Sequence, residues 1–124
     1  METLIFFCGI FNLLFLIFHA FFWKLFDWKK DLNKLMFHNK AIMQVLNLKL
    51  MYVFLFFAAT CFFFSNELLY TNFGNYILIG ISIFWLTRLV EQLIFFNNKS
   101  VIEKLLILIF AIGTIIHIAP LIFL

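Results

Sequence analysis

Charge is scarce in this chain: 12% of its 124 residues are Asp, Glu, Lys or Arg, against 66% that are hydrophobic. A soluble domain carries about 25% charged and 45–50% apolar residues, so a water-soluble globule is excluded. Proline occurs once and glycine four times, which excludes collagen-like, low-complexity and linker-rich organisation. The two cysteines, Cys8 and Cys61, sit in apolar runs without CxxC or CxxxC spacing. Neither a metal site nor a thioredoxin-type redox centre is therefore indicated. A disulfide between them is geometrically open, but buried free thiols are the commoner state. Arginine is reduced to a single residue, Arg88, beside eight lysines.

What is present is apolar sequence in runs of about 20 residues with short polar breaks, the pattern of membrane-spanning helices. Four spans are expected, about Leu4–Trp23, Ala41–Phe64, Tyr76–Phe96 and Leu105–Phe123. Backbone groups in hydrocarbon find no water, so each span must be helical. Short connections make neighbours in sequence antiparallel. The expected fold is an all-α membrane protein, one four-helix up-down bundle over residues 1–124. The first span lacks a basic n-region and a small-x-small cleavage site, and reads as a retained membrane helix.

Basic residues orient the bundle. The first connection holds Lys24, Lys29, Lys30, Lys34 and Lys40, the second (Ser65–Asn75) holds none, and the third carries Lys99 with Lys104 close behind it. The positive-inside rule places the first and third connections in the cytoplasm and both termini outside a cell membrane, read here as a bacterial inner membrane. In the first connection Leu25, Trp28, Leu32, Leu35 and Met36 share one helical arc, with lysines and aspartates on the other. An amphipathic helix lying in the headgroup plane is expected there, with Trp23 and Trp28 in the aromatic belt. His38-Asn39 is the best break, with Asn39 as N-cap of the second span. In the second connection Glu67–Tyr70 reads as a brief surface turn of helix.

The candidate site begins with Arg88, Glu91 and Gln92, which share one helix face at i, i+3 and i+4. A charge near the bilayer centre costs roughly 2.5–3.5 kcal/mol, so such a residue needs a partner or a wet cavity. Counting at about 1.5 Å per residue from the cytoplasmic ends puts Arg88, Glu91, Gln92, Gln44, Asn47 and His19 at a similar level of the inner leaflet. The expectation is one polar cluster drawn from three helices. Arg88 and Glu91 would neutralise each other, and the amides and imidazole would supply the remaining donors and acceptors. His19 and His117 fall near opposite faces of the membrane, so a haem between them is not expected. No metal site and no cofactor is indicated. Near the end of the fourth span, Gly113 and His117 share a face where a neighbouring helix can come close. Pro120 requires another group to take up the carbonyl it frees.

These features point first to a non-enzymatic interaction or accessory component whose polar cluster holds the bundle or docks a lipid or partner. The alternatives are an enzyme acting on a lipidic substrate, with Arg88 on an anionic head and Glu91 or His19 moving a proton, and a homo-oligomeric channel or transporter. With little soluble surface, the expected partners are the bilayer, other membrane proteins or further copies of the chain. Nucleic acid is not among them.

Overall fold

The computed structural model describes residues 1–123, and its elements are helical. Four helices are long and apolar enough to cross a membrane: α1 (Glu2–Ala20), α4 (Phe37–Phe63), α6 (Asn72–Phe95) and α7 (Val101–Phe123). Three short helices lie between them: α2 (Phe22–Leu25), α3 (Trp28–Asp31) and α5 (Ser65–Tyr70). The protein is thus a small four-span membrane protein in contact with the bilayer.

The N-terminal boundaries of spans α4, α6 and α7 differ from the expected ones, two of them where a side chain caps the helix. Span α4 begins at Phe37, with Met36 at the N-cap and no side-chain cap bond. Asn39 is therefore within the first turn, and its expected capping role does not hold. Span α6 begins at Asn72 because Thr71 caps it: Thr71 Oγ1 accepts from Gly74 N at 2.9 Å. Span α7 begins at Val101, where Ser100 Oγ accepts from Glu103 N at 3.1 Å. Each cap satisfies backbone donors that hydrocarbon cannot.

The first connection is not one amphipathic helix. Asp27 takes the left-handed conformation (φ 50°, ψ 48°) between α2 and α3, and a 3-10 turn follows at Leu32–Lys34. Aspartate tolerates that region better than most residues. The bend turns Trp28 and Leu32 inward, whereas Leu25, Leu35 and Met36 remain exposed. Two of the five residues of the expected apolar arc are therefore buried and three face outward.

The long helices pack as two antiparallel hairpins, α1 with α4 and α6 with α7, joined where α1 meets α7. Helices α4 and α6 meet through aromatic side chains: Phe54 stacks on Trp85 (centroids 5.5 Å, 12°), and Phe57 meets Phe84 edge-on at 5.3 Å. Phe15, Phe54, Ile81, Trp85 and Phe110 form the central core. Helix α5 is no surface turn, because Leu68 and Leu69 are buried with Ile5, Cys8, Cys61 and Leu78. It lies against the start of α6 so closely that a Cβ on Gly74 would stand 1.7 Å from the carbonyl oxygen of Glu67. Only glycine fits there. Both cysteines are free and buried.

Candidate functional site

Three polar groupings occupy the interior, and the expected cluster is divided between two of them. The first stitches α1 to α4. Asn47 Nδ2 donates to the backbone oxygen of His19 at 3.0 Å, and Trp23 Nε1 donates to Gln44 Oε1 at 3.3 Å. Helix antiparallelism brings residues 19 and 47, and then 23 and 44, to one level. These bonds satisfy the amides from within the chain, so Gln44 and Asn47 hold the hairpin together.

The second grouping lies on α6. Arg88 Nη2 donates to Gln92 Oε1 at 3.1 Å, and Gln92 Nε2 donates to Asn98 Oδ1 at 3.2 Å. Asn98, at positive φ (59°), returns a bond from Nδ2 to the backbone oxygen of Gln92 at 3.1 Å. Gln92 is fully buried, and Asn98 caps the end of α6 from beyond it. Sequence reasoning omitted Asn98. Its signal was the Asn97-Asn98 pair directly after an apolar helix, where asparagine suits a left-handed turn. Glu91 does not join: it is exposed, and the one ion pair among the described residues is Lys34–Asp31. The expected Arg88–Glu91 neutralisation is thus not formed, because the adjacent Gln92 takes the guanidinium one position further round the helix.

Arg88 instead lies against aromatic rings. Its guanidinium carbon is 4.4 Å from the centroid of Phe110 and 5.7 Å from that of Phe96. Guanidinium over a ring face is attractive by about 0.5–2 kcal/mol. Arg88 lines a cavity of about 380 Å³ at this end of the bundle, walled by Phe15, Phe54, Phe84, Trp85 and Phe110. Phe22, Phe26 and Trp28 of the first connection form its roof, and His19 faces it from α1. His19 Nδ1 donates to the backbone oxygen of Phe15 at 2.9 Å, leaving Nε2 without a hydrogen bond among the described residues. The chamber therefore holds one cation and one free imidazole nitrogen in an aromatic shell.

Beside the chamber, a wholly apolar groove of about 500 Å³ runs between α1 and α7. Phe15, Phe18 and Leu106 line both spaces and form the partition between them. Helices α1 and α7 are also in contact, Phe15 stacking on Phe110 with ring centroids 5.6 Å apart. The small residue expected to admit a neighbouring helix admits a ring of α1: a Cβ on Gly113 would come within 2.5 Å of the Phe11 side chain.

The third grouping, absent from the expected cluster, is the most completely bonded. Asn12 Nδ2 donates both to the backbone oxygen of Cys8 (2.8 Å) and to His117 Nε2 (2.9 Å). Asn12 Oδ1 accepts from Trp85 Nε1 at 3.2 Å, and His117 Nδ1 donates to the backbone oxygen of Gly113 at 2.6 Å. This assignment makes His117 a neutral imidazole with its proton on Nδ1. Asn12 and His117 are fully buried, and Trp85 nearly so. The group ties α1, α6 and α7 together and has no open donor for a ligand. His19 and His117 are held by separate partners on separate sides of the aromatic core.

Among the described residues no three His, Cys, Asp or Glu side chains gather as metal ligands would. No protein-family model, curated protein or solved structure matches the chain.

Proposed function

We propose that this four-span protein is a non-enzymatic membrane component that holds an anionic amphiphile, its charged head at Arg88 and His19. The observation that carries this reading is Arg88: among the described residues the sole arginine has no carboxylate within ion-pair distance, uses one donor on Gln92, and lines an aromatic cavity. A guanidinium presents five donors, and those left over suit a carboxylate or phosphate. The chamber volume falls within the roughly 300–1,000 Å³ of small-molecule sites. Its lining includes no serine, cysteine, aspartate or glutamate, so binding is better supported than covalent chemistry. The adjoining α1–α7 groove offers room for the apolar tail beside the bilayer, with Phe15, Phe18 and Leu106 between the two spaces. The five lysines of the first connection support placing this end in the cytoplasmic leaflet, with both termini outside.

Native mass spectrometry of protein extracted in mild detergent tests this. The wild type should retain an anionic amphiphile near one per chain, and Arg88→Gln should lose it while keeping the helical content. Equal retention by both forms would leave Arg88 as a purely structural residue and overturn the reading.

A further inference from the structure

A second basic feature lies on the opposite side of Trp28 from the chamber. An open groove of about 570 Å³ is lined by Lys24, Lys29 and Lys40, with Trp23 and Trp28 at its apolar side and Asn33 and Gln44 at its rim. We propose that this groove is a headgroup site for an anionic glycerophospholipid of the surrounding leaflet. The site is separate from the Arg88 chamber and does not rest on the reading given for it.

Charge decides the sign of the ligand. None of the three ammonium groups has a carboxylate within ion-pair distance among the described residues, where the one ion pair is Lys34–Asp31, outside the groove. The tryptophan faces alone would suit a quaternary ammonium. Three uncompensated lysines beside them repel a cation and favour a phosphate.

The groove is also organised. Lys40 Nζ donates to Asn33 Oδ1 at 2.6 Å, while Asn33 Nδ2 donates to the backbone oxygen of Lys29 at 2.8 Å. Those bonds tie the end of the first connection to the start of α4. Trp23 and Trp28 meet edge-on at 5.1 Å, and Trp23 is fixed by Gln44. The amide groups facing the groove are thus occupied within the chain, while Lys24 and Lys29 have no side-chain hydrogen bond among the described residues and Lys40 keeps two of its three donors for a phosphate.

Surroundings decide the source of that phosphate. Leu25, Phe26, Met36 and Phe37, interspersed in sequence with the groove's lining residues, are 52–79% exposed. Large apolar side chains on a lysine-bearing, tryptophan-bearing connection belong at the boundary between headgroups and hydrocarbon. A phosphate bound there carries acyl chains. Basic pockets at the membrane surface bind anionic lipid heads in this manner, each lysine strengthening binding about fivefold.

The test uses the full chain in nanodiscs of phosphatidylcholine with a graded fraction of brominated phosphatidylglycerol, read as quenching of tryptophan fluorescence in a Trp85→Phe background. Quenching of Trp23 and Trp28 should rise at low phosphatidylglycerol fraction. The triple variant Lys24→Gln, Lys29→Gln, Lys40→Gln should need at least tenfold more. A control triple, Lys30→Gln, Lys34→Gln, Lys99→Gln, removes the same charge outside the groove and should respond like the parent. Single Lys40→Gln, expected to shift the curve about fivefold, serves if the groove triple does not fold. Equal shifts in both triples would mean a diffuse surface field and overturn the site, as would no shift in the groove variants. Relief of quenching by millimolar inorganic phosphate would overturn its assignment to a lipid.

Discussion

Cys8 Sγ donates to the backbone oxygen of Ile116, 3.3 Å away, and that oxygen is the one Pro120 leaves without its helical donor. A thiol on α1 thus closes a gap in the backbone ladder of α7. Cys8→Ala should destabilise the bundle by about 1 kcal/mol, the usual net worth of such a bond. In a Pro120→Ala background the backbone donor returns, and the same substitution should cost clearly less. Reversible unfolding in mixed micelles measures both, and equal losses in the two backgrounds would show that Cys8 acts by packing alone.

Asn12 should be the least replaceable polar residue in the bundle. Asn12→Leu strands the Trp85 N–H and the His117 acceptor in the interior, a loss of about 1–3 kcal/mol. Asn12→Leu and His117→Leu together should cost less than their sum, with a coupling of about 0.6 kcal/mol, the average between membrane helices, and no more than about 1.7. A double-mutant cycle in the same unfolding assay checks this, and additive losses would contradict the hydrogen bond.

The four spans, their helical nature and their antiparallel pairing were legible in the sequence because each follows from bilayer thickness and connection length. The levels of His19, Gln44 and Asn47 were legible for the same reason: counting residues from a membrane face fixes depth. Rotation about each helix axis was not legible. A helix apolar on all sides carries no stripe to show which face turns inward. For that reason the meeting of Asn12, Trp85 and His117 went unread, though each lies on an apolar span. Rotation also explains Glu91, which shares a helix with Arg88 yet faces outward while Gln92 turns in.

Two glycines should differ sharply in tolerance. At Gly113 a Cβ meets the far end of the Phe11 ring, which can shift, so Gly113→Ala should cost about 1–3 kcal/mol, as overpacking does. At Gly74 the obstacle is the Glu67 backbone oxygen at 1.7 Å. Gly74→Ala should therefore displace α5 and lower the yield of folded protein well below that of Gly113→Ala. Size-exclusion profiles in detergent would rank the two, and the reverse order would contradict the close α5–α6 packing.

Asn98 combines a left-handed backbone with two bonds to Gln92. Asn98→Gly keeps the backbone and loses the bonds, whereas Asn98→Ala loses both. Alanine should be the more destabilising by about 1–2 kcal/mol, the usual cost of a left-handed backbone for a residue with a Cβ. A thermal melt followed by circular dichroism would resolve the order, and equal melting points would remove the conformational part of the argument.

The division into two hairpins has a consequence for biogenesis. Every α1–α4 contact lies within the first 63 residues, so the ribosome completes that hairpin before α6 and α7 emerge. Asn12 then sits in the nascent unit with its Cys8 bond alone, its other hydrogen and its oxygen waiting for His117 and Trp85 from the later half. The unpaired amide in hydrocarbon acts as a latch that the second hairpin is shaped to fasten.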